Sequence, residues 1–137
     1  MPVLRSVGEM PERMARAVCP RTKGQIEAEI SRAIIRFDRE HWGRGPGDVR
    51  TRIVQDMVIV RSIDVLTPSE RALIRAGSVD LVKQVRSKLY ESHQPEIYRV
   101  LRELTGCEVV SMHKDLSTRT GERFIVFILS ENLEQRM

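Results

Sequence analysis

From residue 26 onward, apolar side chains recur at spacings of three and four: Ile26, Ile30, Ala33, Ile34 and Phe37 fall on one stripe, the pattern of an amphipathic helix. Thr22 stands ahead of that stripe with Gln25 three positions later, a pairing in which hydroxyl and amide satisfy the helix-start N–H groups reciprocally. Gly43 supplies the stop. The period then changes. "VRTRIVQDMVIVRSIDV" (49–65) is dense in β-branched residues and too long for one ordinary strand, so Gln55 and Asp56 divide it into a hairpin. In "LTPSERAL", Thr67 as N-cap, Pro68 at the first helical position and Glu70 at the third predict a short second helix. Beyond Gly77 and Ser78, a third apolar series (Leu81, Val82, Val85, Leu89, Ile97, Val100, Leu101, Leu104) keeps a period near 3.6 on both sides of Pro95. It predicts one long helix kinked at Pro95 and ended by Gly106, with two shorter helices as the alternative. "CEVVSMHKDL" and "ERFIVFILS", joined by "STRTG" with Gly121 free to take positive φ, read as a second hairpin.

These elements assemble into a single α+β domain of order α-β-β-α-α-β-β: a four-stranded, mainly antiparallel sheet from two β-hairpins, with the helices packed on one face. In the last strand Phe124, Val126 and Ile128 point to one face and Ile125, Phe127 and Leu129 to the other, so both faces need cover. The long helices cover one. A partner subunit, the N-terminal tail or the short helix must cover the other, and a symmetric homodimer is the expected solution. Residues 1–21 hold three prolines and no long periodicity, and are expected to be a flexible tail, although "PERMARAV" has the makings of two helical turns. Met10 and Met14 are alternative starts. The domain proper is expected over 22–133, with 134–137 as a C-terminal tail.

Composition narrows the function classes. At 137 residues the chain buries roughly two-thirds of the surface exposed when unfolded, and with 4% aromatic residues its core rests on Ile, Leu and Val. The net charge is +4, of which residues 1–21 contribute +2 through Arg5, Arg13, Arg16 and Arg21 against Glu9 and Glu12. The remaining domain is too weakly basic, and too poor in rings, to point to nucleic acid. Cys19 and Cys107 belong to no CxxC, so neither a disulfide framework nor a zinc site is expected, and both read as reduced thiols. The longest apolar run, "FIVFIL", is too short to cross a bilayer, and the N-terminus lacks the apolar segment of a signal peptide. The expected location is cytoplasmic, with any membrane role peripheral.

Several constellations carry possible chemistry. In "HWGRGPGDVR" (41–50) the glycines follow a helix and precede a strand, the reverse of the dinucleotide fingerprint, and no Gly-Lys-Ser/Thr follows. What remains is a set of backbone N–H groups, Gly45 among them, beside Arg44, Arg50 and Arg52, an arrangement suited to an anion. The plainer reading is a helix stop and a tight turn. His113 and Asp115 alternate on a strand with Ser111 beside them and Arg119 and Arg123 nearby, a set capable of acid–base work or metal binding, though a strand's polar face looks the same. His41 and Trp42 read as packing rather than a ligand platform, and His93 as a half-buried continuation of the helical stripe. Arg32, Arg36 and Arg39 line the outer side of the first helix among Glu29 and Glu40, as in a solvated face.

Taken together, "TKGQIEAEISRAIIRFDREHWGRGPGDVRTRIVQDMVIV", "VLTPSERAL" and "DLSTRTGERFIVFIL" resemble the MpsC family, small bacterial proteins labelled for a sodium-translocating, membrane-potential-generating system. The resemblance runs from about Thr22 to Leu133. It implies an accessory protein that works with membrane subunits moving ions or inorganic carbon, and it brings no catalytic residues. The family's recurring positions fall here on Gly43, Arg44, Gly45 and Pro46, on Arg50, on Leu66, Thr67 and Glu70, and on Asp115, Thr120 and Gly121. Capping and turn roles account for most of these; Arg44 is the exception. The expectation is therefore a non-enzymatic accessory or regulatory subunit without cofactor or metal, whose ligand-binding residues are Arg44, Gly45, Arg50, Arg52, Arg119 and His113. The alternatives are a nucleic-acid-binding module and a small enzyme using His113 and Asp115.

Overall fold

Thr22 takes the extended backbone of an N-cap and accepts a hydrogen bond from the Gln25 amide (3.1 Å), while Gln25 Oε1 accepts one from the Thr22 amide (2.8 Å). This computed structural model describes residues 21–137; the expected N-terminal tail, up to residue 20, lies outside the described residues. Helix α1 (Lys23–Trp42) buries Ile26, Ile30, Ala33, Ile34 and Phe37 as its periodicity requires, and ends on Gly43 at φ 81°, whose amide donates to Arg39 O. Strands β1 (Asp48–Val54) and β2 (Met57–Ile63) pair antiparallel around Gln55 and Asp56. Gln55 occupies φ 58°, a left-handed conformation that glycine or asparagine would fill at lower cost. Helix α2 (Pro68–Arg75) carries the second capping box, with Thr67 and Glu70 bonded in both directions.

The long kinked helix is two helices, α3 (Val79–Ser92) and α4 (Gln94–Thr105), which meet at His93. The break falls ahead of Pro95, which sits in the first turn of α4, where a missing N–H costs nothing; proline here opens a helix instead of bending one. Gly106, at φ 75°, ends α4. Strands β3 (Val109–Ser117) and β4 (Glu122–Leu129) form the second hairpin with Gly121 at φ 74°, and the sheet order is β1-β2-β4-β3, every neighbour antiparallel. The C-terminal stretch set apart at 134–137 belongs largely to a short helix α5 (Leu133–Arg136), whose Leu133 is buried in the core. Glu134 caps the first hairpin by accepting from the Gln55 amide (3.0 Å).

One sheet face, bearing Ile53, Val58, Val60, Ile125, Phe127 and Leu129, packs with Ile30, Ile34, Phe37, Tyr90, Ile97 and Leu101 of the helices. The register places Arg50, Arg52 and Val54, then Met57, Ile59 and Arg61, then Phe124, Val126 and Ile128, then Ser111, His113 and Asp115 on the opposite face. None of these belongs to a buried cluster, and Phe124 is 41% exposed. The helices therefore cover one face, as the sequence pattern requires, and among the described residues nothing covers the other. No helix of the described residues is long and apolar enough to cross a membrane.

Candidate functional site

Two buried ion pairs fix the helices, one tying α1 to the sheet and the other tying α3 to α2. Asp38, four residues after Ile34 on the buried stripe of α1, meets Arg123 of β4 at 2.9 Å and accepts a hydrogen bond from the Tyr90 hydroxyl of α3 (3.0 Å). Arg123 also donates to Ser62 on β2 (3.0 Å). Burial pushes the Tyr90 hydroxyl far above its ordinary range, so it stays neutral and able to donate. In the second pair Arg86 of α3 grips both oxygens of Glu70 (2.7 and 2.6 Å), donates to Val65 O (2.7 Å) and lies over the Trp42 ring at 4.0 Å. Burial works to raise the Glu70 pKa, but the Arg86 guanidinium and the Thr67 amide together hold it below the usual glutamate value.

Between these pairs and β3 lies a cavity of about 170 Å³. Four cations line it, Lys83, Arg86, Lys114 and Arg123, with Ser87, Tyr90, Leu116 and, at its rim, Asp115. Asp38 and Glu70 neutralise the two arginines, so the lysines supply the excess charge, partly offset by Asp115, which Lys83 approaches to 3.9 Å. Arg123 is 3% exposed, and its Nε has no hydrogen-bond partner among the described residues. A buried donor without an acceptor is costly, and in a cationic cavity the group that relieves it is a small anion or water. Of these residues, only Arg123 and Asp115 drew notice in the sequence, through their nearness to His113. The cue for the rest was Asp38, a carboxylate on a buried helical stripe that must have a cation facing it.

The residues expected to bind a ligand are not brought together. Arg44 bonds Leu66 O (2.5 Å) and Asp64 (3.3 Å), and Asp64, at φ 58°, also receives Arg71 (2.7 Å). That clamp explains the arginine that neither cap nor turn required. Gly45 fits because a Cβ there would stand 3.3 Å from Ile35, and Gly47 because one would stand 3.1 Å from Asp64. The glycine stretch that follows α1 is thus a packed bend. Arg50 pairs with Asp48 (3.1 Å), and Arg52 donates to Thr51 O (2.9 Å), both on β1 at one edge of the open face. His113, bonded to Ser111 (3.1 Å), occupies β3 at the other edge, three strand spacings or roughly 14 Å away. Arg119 lies exposed in the β3–β4 turn. Asp115 lines the cavity, whereas His113, Arg44 and Arg119 do not.

The arginines of α1 form no continuous basic surface, since Arg32 and Arg36 share the groove between α1 and α4 with Glu29, Glu40, Glu96 and Glu103. Cys107 is buried, and burial raises its pKa, the condition of an inert packed thiol.

A family model described as Na+-translocating membrane potential-generating system (MpsC) matches residues 22–131. The uncharacterized protein YbcI of Bacillus subtilis (strain 168) is 41% identical over 118 residues, covering 85% of this chain and 95% of that relative. No solved structure gives a match.

Proposed function

The chain belongs to the MpsC family, and from that premise we propose that it is a non-enzymatic accessory or regulatory subunit serving a membrane ion-transport system from the cytoplasmic side. The observation that carries this reading is the match to a family described by sodium translocation and membrane potential, in a chain whose described residues include no helix able to cross a membrane. Such a subunit contributes binding and not passage. In the pair on which an enzymatic reading would rest, His113 is engaged with Ser111 at 3.1 Å, and Asp115 accepts from the Leu116 amide at 2.9 Å. Sedimentation with membranes of the protein's own cell checks the reading. Binding that disappears after the membrane proteins are shaved with protease agrees with it, whereas equal binding to protein-free lipid vesicles contradicts it.

The cavity beside Arg86 and Arg123, rather than the glycine turn, is the place for an anionic ligand. Its volume suits an inorganic anion or a small carboxylate, and the unpartnered Arg123 Nε supports the assignment. Inorganic phosphate and acetate should each raise the melting temperature saturably, and the double variant Lys83→Ala/Lys114→Ala should reduce that gain. No gain, or one untouched in the double variant, counts against the cavity.

A further inference from the structure

We propose a divalent transition-metal site formed by His41, His93 and Glu96, independent of the function argued above. His41 closes the last turn of α1, His93 is the junction between α3 and α4, and Glu96 lies in the first turn of α4. The break ahead of Pro95 is what brings the two elements of this site together, because it turns His93 and Glu96 toward the end of α1. His41 Nε2 stands 3.7 Å from Glu96 Oε1, and His93 Nδ1 stands 3.6 Å from the same oxygen. One ligand atom from each residue lies within 4.8 Å of the other two. Zinc bonds of about 2.0–2.1 Å in a tetrahedron separate ligand atoms by roughly 3.3 Å, so the carboxylate contacts need to close by only a few tenths of an ångström.

The chemistry of the donors selects the metal class. Two imidazoles and a carboxylate suit zinc and its late first-row neighbours, whereas magnesium and calcium require oxygen ligands that are not gathered here. Packing preorganises the set: the two imidazole rings lie 3.9 Å apart, and His41 also rests against Phe37 at 4.3 Å. His41 Nε2 is buried with no hydrogen-bond partner among the described residues, as a nitrogen awaiting a ligand would be. His93, at the α3–α4 junction, makes no side-chain cap hydrogen bond that would engage its imidazole. Three protein ligands leave a fourth position for water. The bound ion would staple the end of α1 to the joint between α3 and α4, fixing the helical layer over the sheet.

Calorimetric titration of the full chain, first stripped with chelator, with zinc chloride and separately with magnesium chloride, tests the site, with cobalt(II) absorption as a signature of the coordination sphere. Expected are saturable zinc binding, a tetrahedral cobalt spectrum and no magnesium response. His93→Gln and Glu96→Gln should each weaken zinc at least roughly tenfold. Both side chains are about a third exposed (33% and 37%), so these variants retain the fold even where His41→Ala does not. Cys19→Ser and His113→Gln should leave affinity unchanged. Absence of saturable zinc binding overturns the proposal, and so does binding that survives in His93→Gln/Glu96→Gln or is lost in Cys19→Ser.

Discussion

Asp38 is 2% exposed and answers three groups at once: the Arg123 guanidinium and the Tyr90 hydroxyl directly, and through Arg123 the Ser62 hydroxyl. Removing a carboxylate so placed strands a cation in the interior, a cost of about 3–5 kcal/mol. Asp38→Ala should lose that much in urea unfolding. Glu70 makes a separate prediction about pH. Its folded pKa lies below the ordinary 4.5, because Arg86 and the Thr67 amide outweigh the effect of burial. A depressed carboxylate contributes stability that is present above its unfolded pKa and is lost as pH falls through the folded one. The melting temperature should therefore fall on acidification through and below pH 4.5, and Glu70→Gln should flatten that part of the curve at the expense of stability near neutrality. An unchanged acid limb would mean the Arg86 pair contributes nothing to it.

At the scale of elements, what was legible in the sequence was local. Thr22 with Gln25 and Thr67 with Glu70 announce their helices because a capping box is complete within four residues, and the apolar period of α1 needs no distant partner to be read. The Asp38–Arg123 pair spans 85 positions, so only its first half, a carboxylate on an apolar stripe, left a local trace. The partners of Arg44, some 20 positions on, were invisible for the same reason. Helix α5 has four residues and little propensity of its own; it forms because Leu133 enters the core and Glu134 bonds the Gln55 amide. That contact also explains why a turn without glycine closes the first hairpin. Gln55 at φ 58° carries the left-handed penalty of about 1–2 kcal/mol, only part of which glycine's chain entropy would reclaim. Gln55→Gly should accordingly stabilise the protein by roughly 0.5–1 kcal/mol in chemical denaturation, whereas destabilisation would show that the glutamine side chain has a role beyond the turn.

The whole molecule is asymmetric: helices bury one face of the sheet, while Met57, Ile59, Phe124, Val126 and Ile128 form the apolar centre of a face without cover among the described residues. On that face Arg52 stands at the β1 edge beside the Arg50–Asp48 pair, Arg61 pairs with Glu122 within the sheet, and Asp115 stands at the β3 edge. A two-fold axis parallel to the strands lays β1 of one copy over β3 of the other and brings Arg52 and Asp115 together, so the occupant we favour is a second copy of this chain. Light scattering should then give twice the 15.8 kDa chain mass, and Ile59→Glu should give monomers with an unchanged circular-dichroism spectrum. A wild-type monomer would exclude this pairing. The claim on which the functional account rests is association with a membrane transport system. Its most direct test is affinity purification of the tagged protein, at native expression, from gently solubilised membranes of its own cell, with quantitative mass spectrometry of what is retained. Stoichiometric recovery of ion-translocating membrane subunits is the predicted result; recovery of this chain alone, or with nucleic acid, would contradict it.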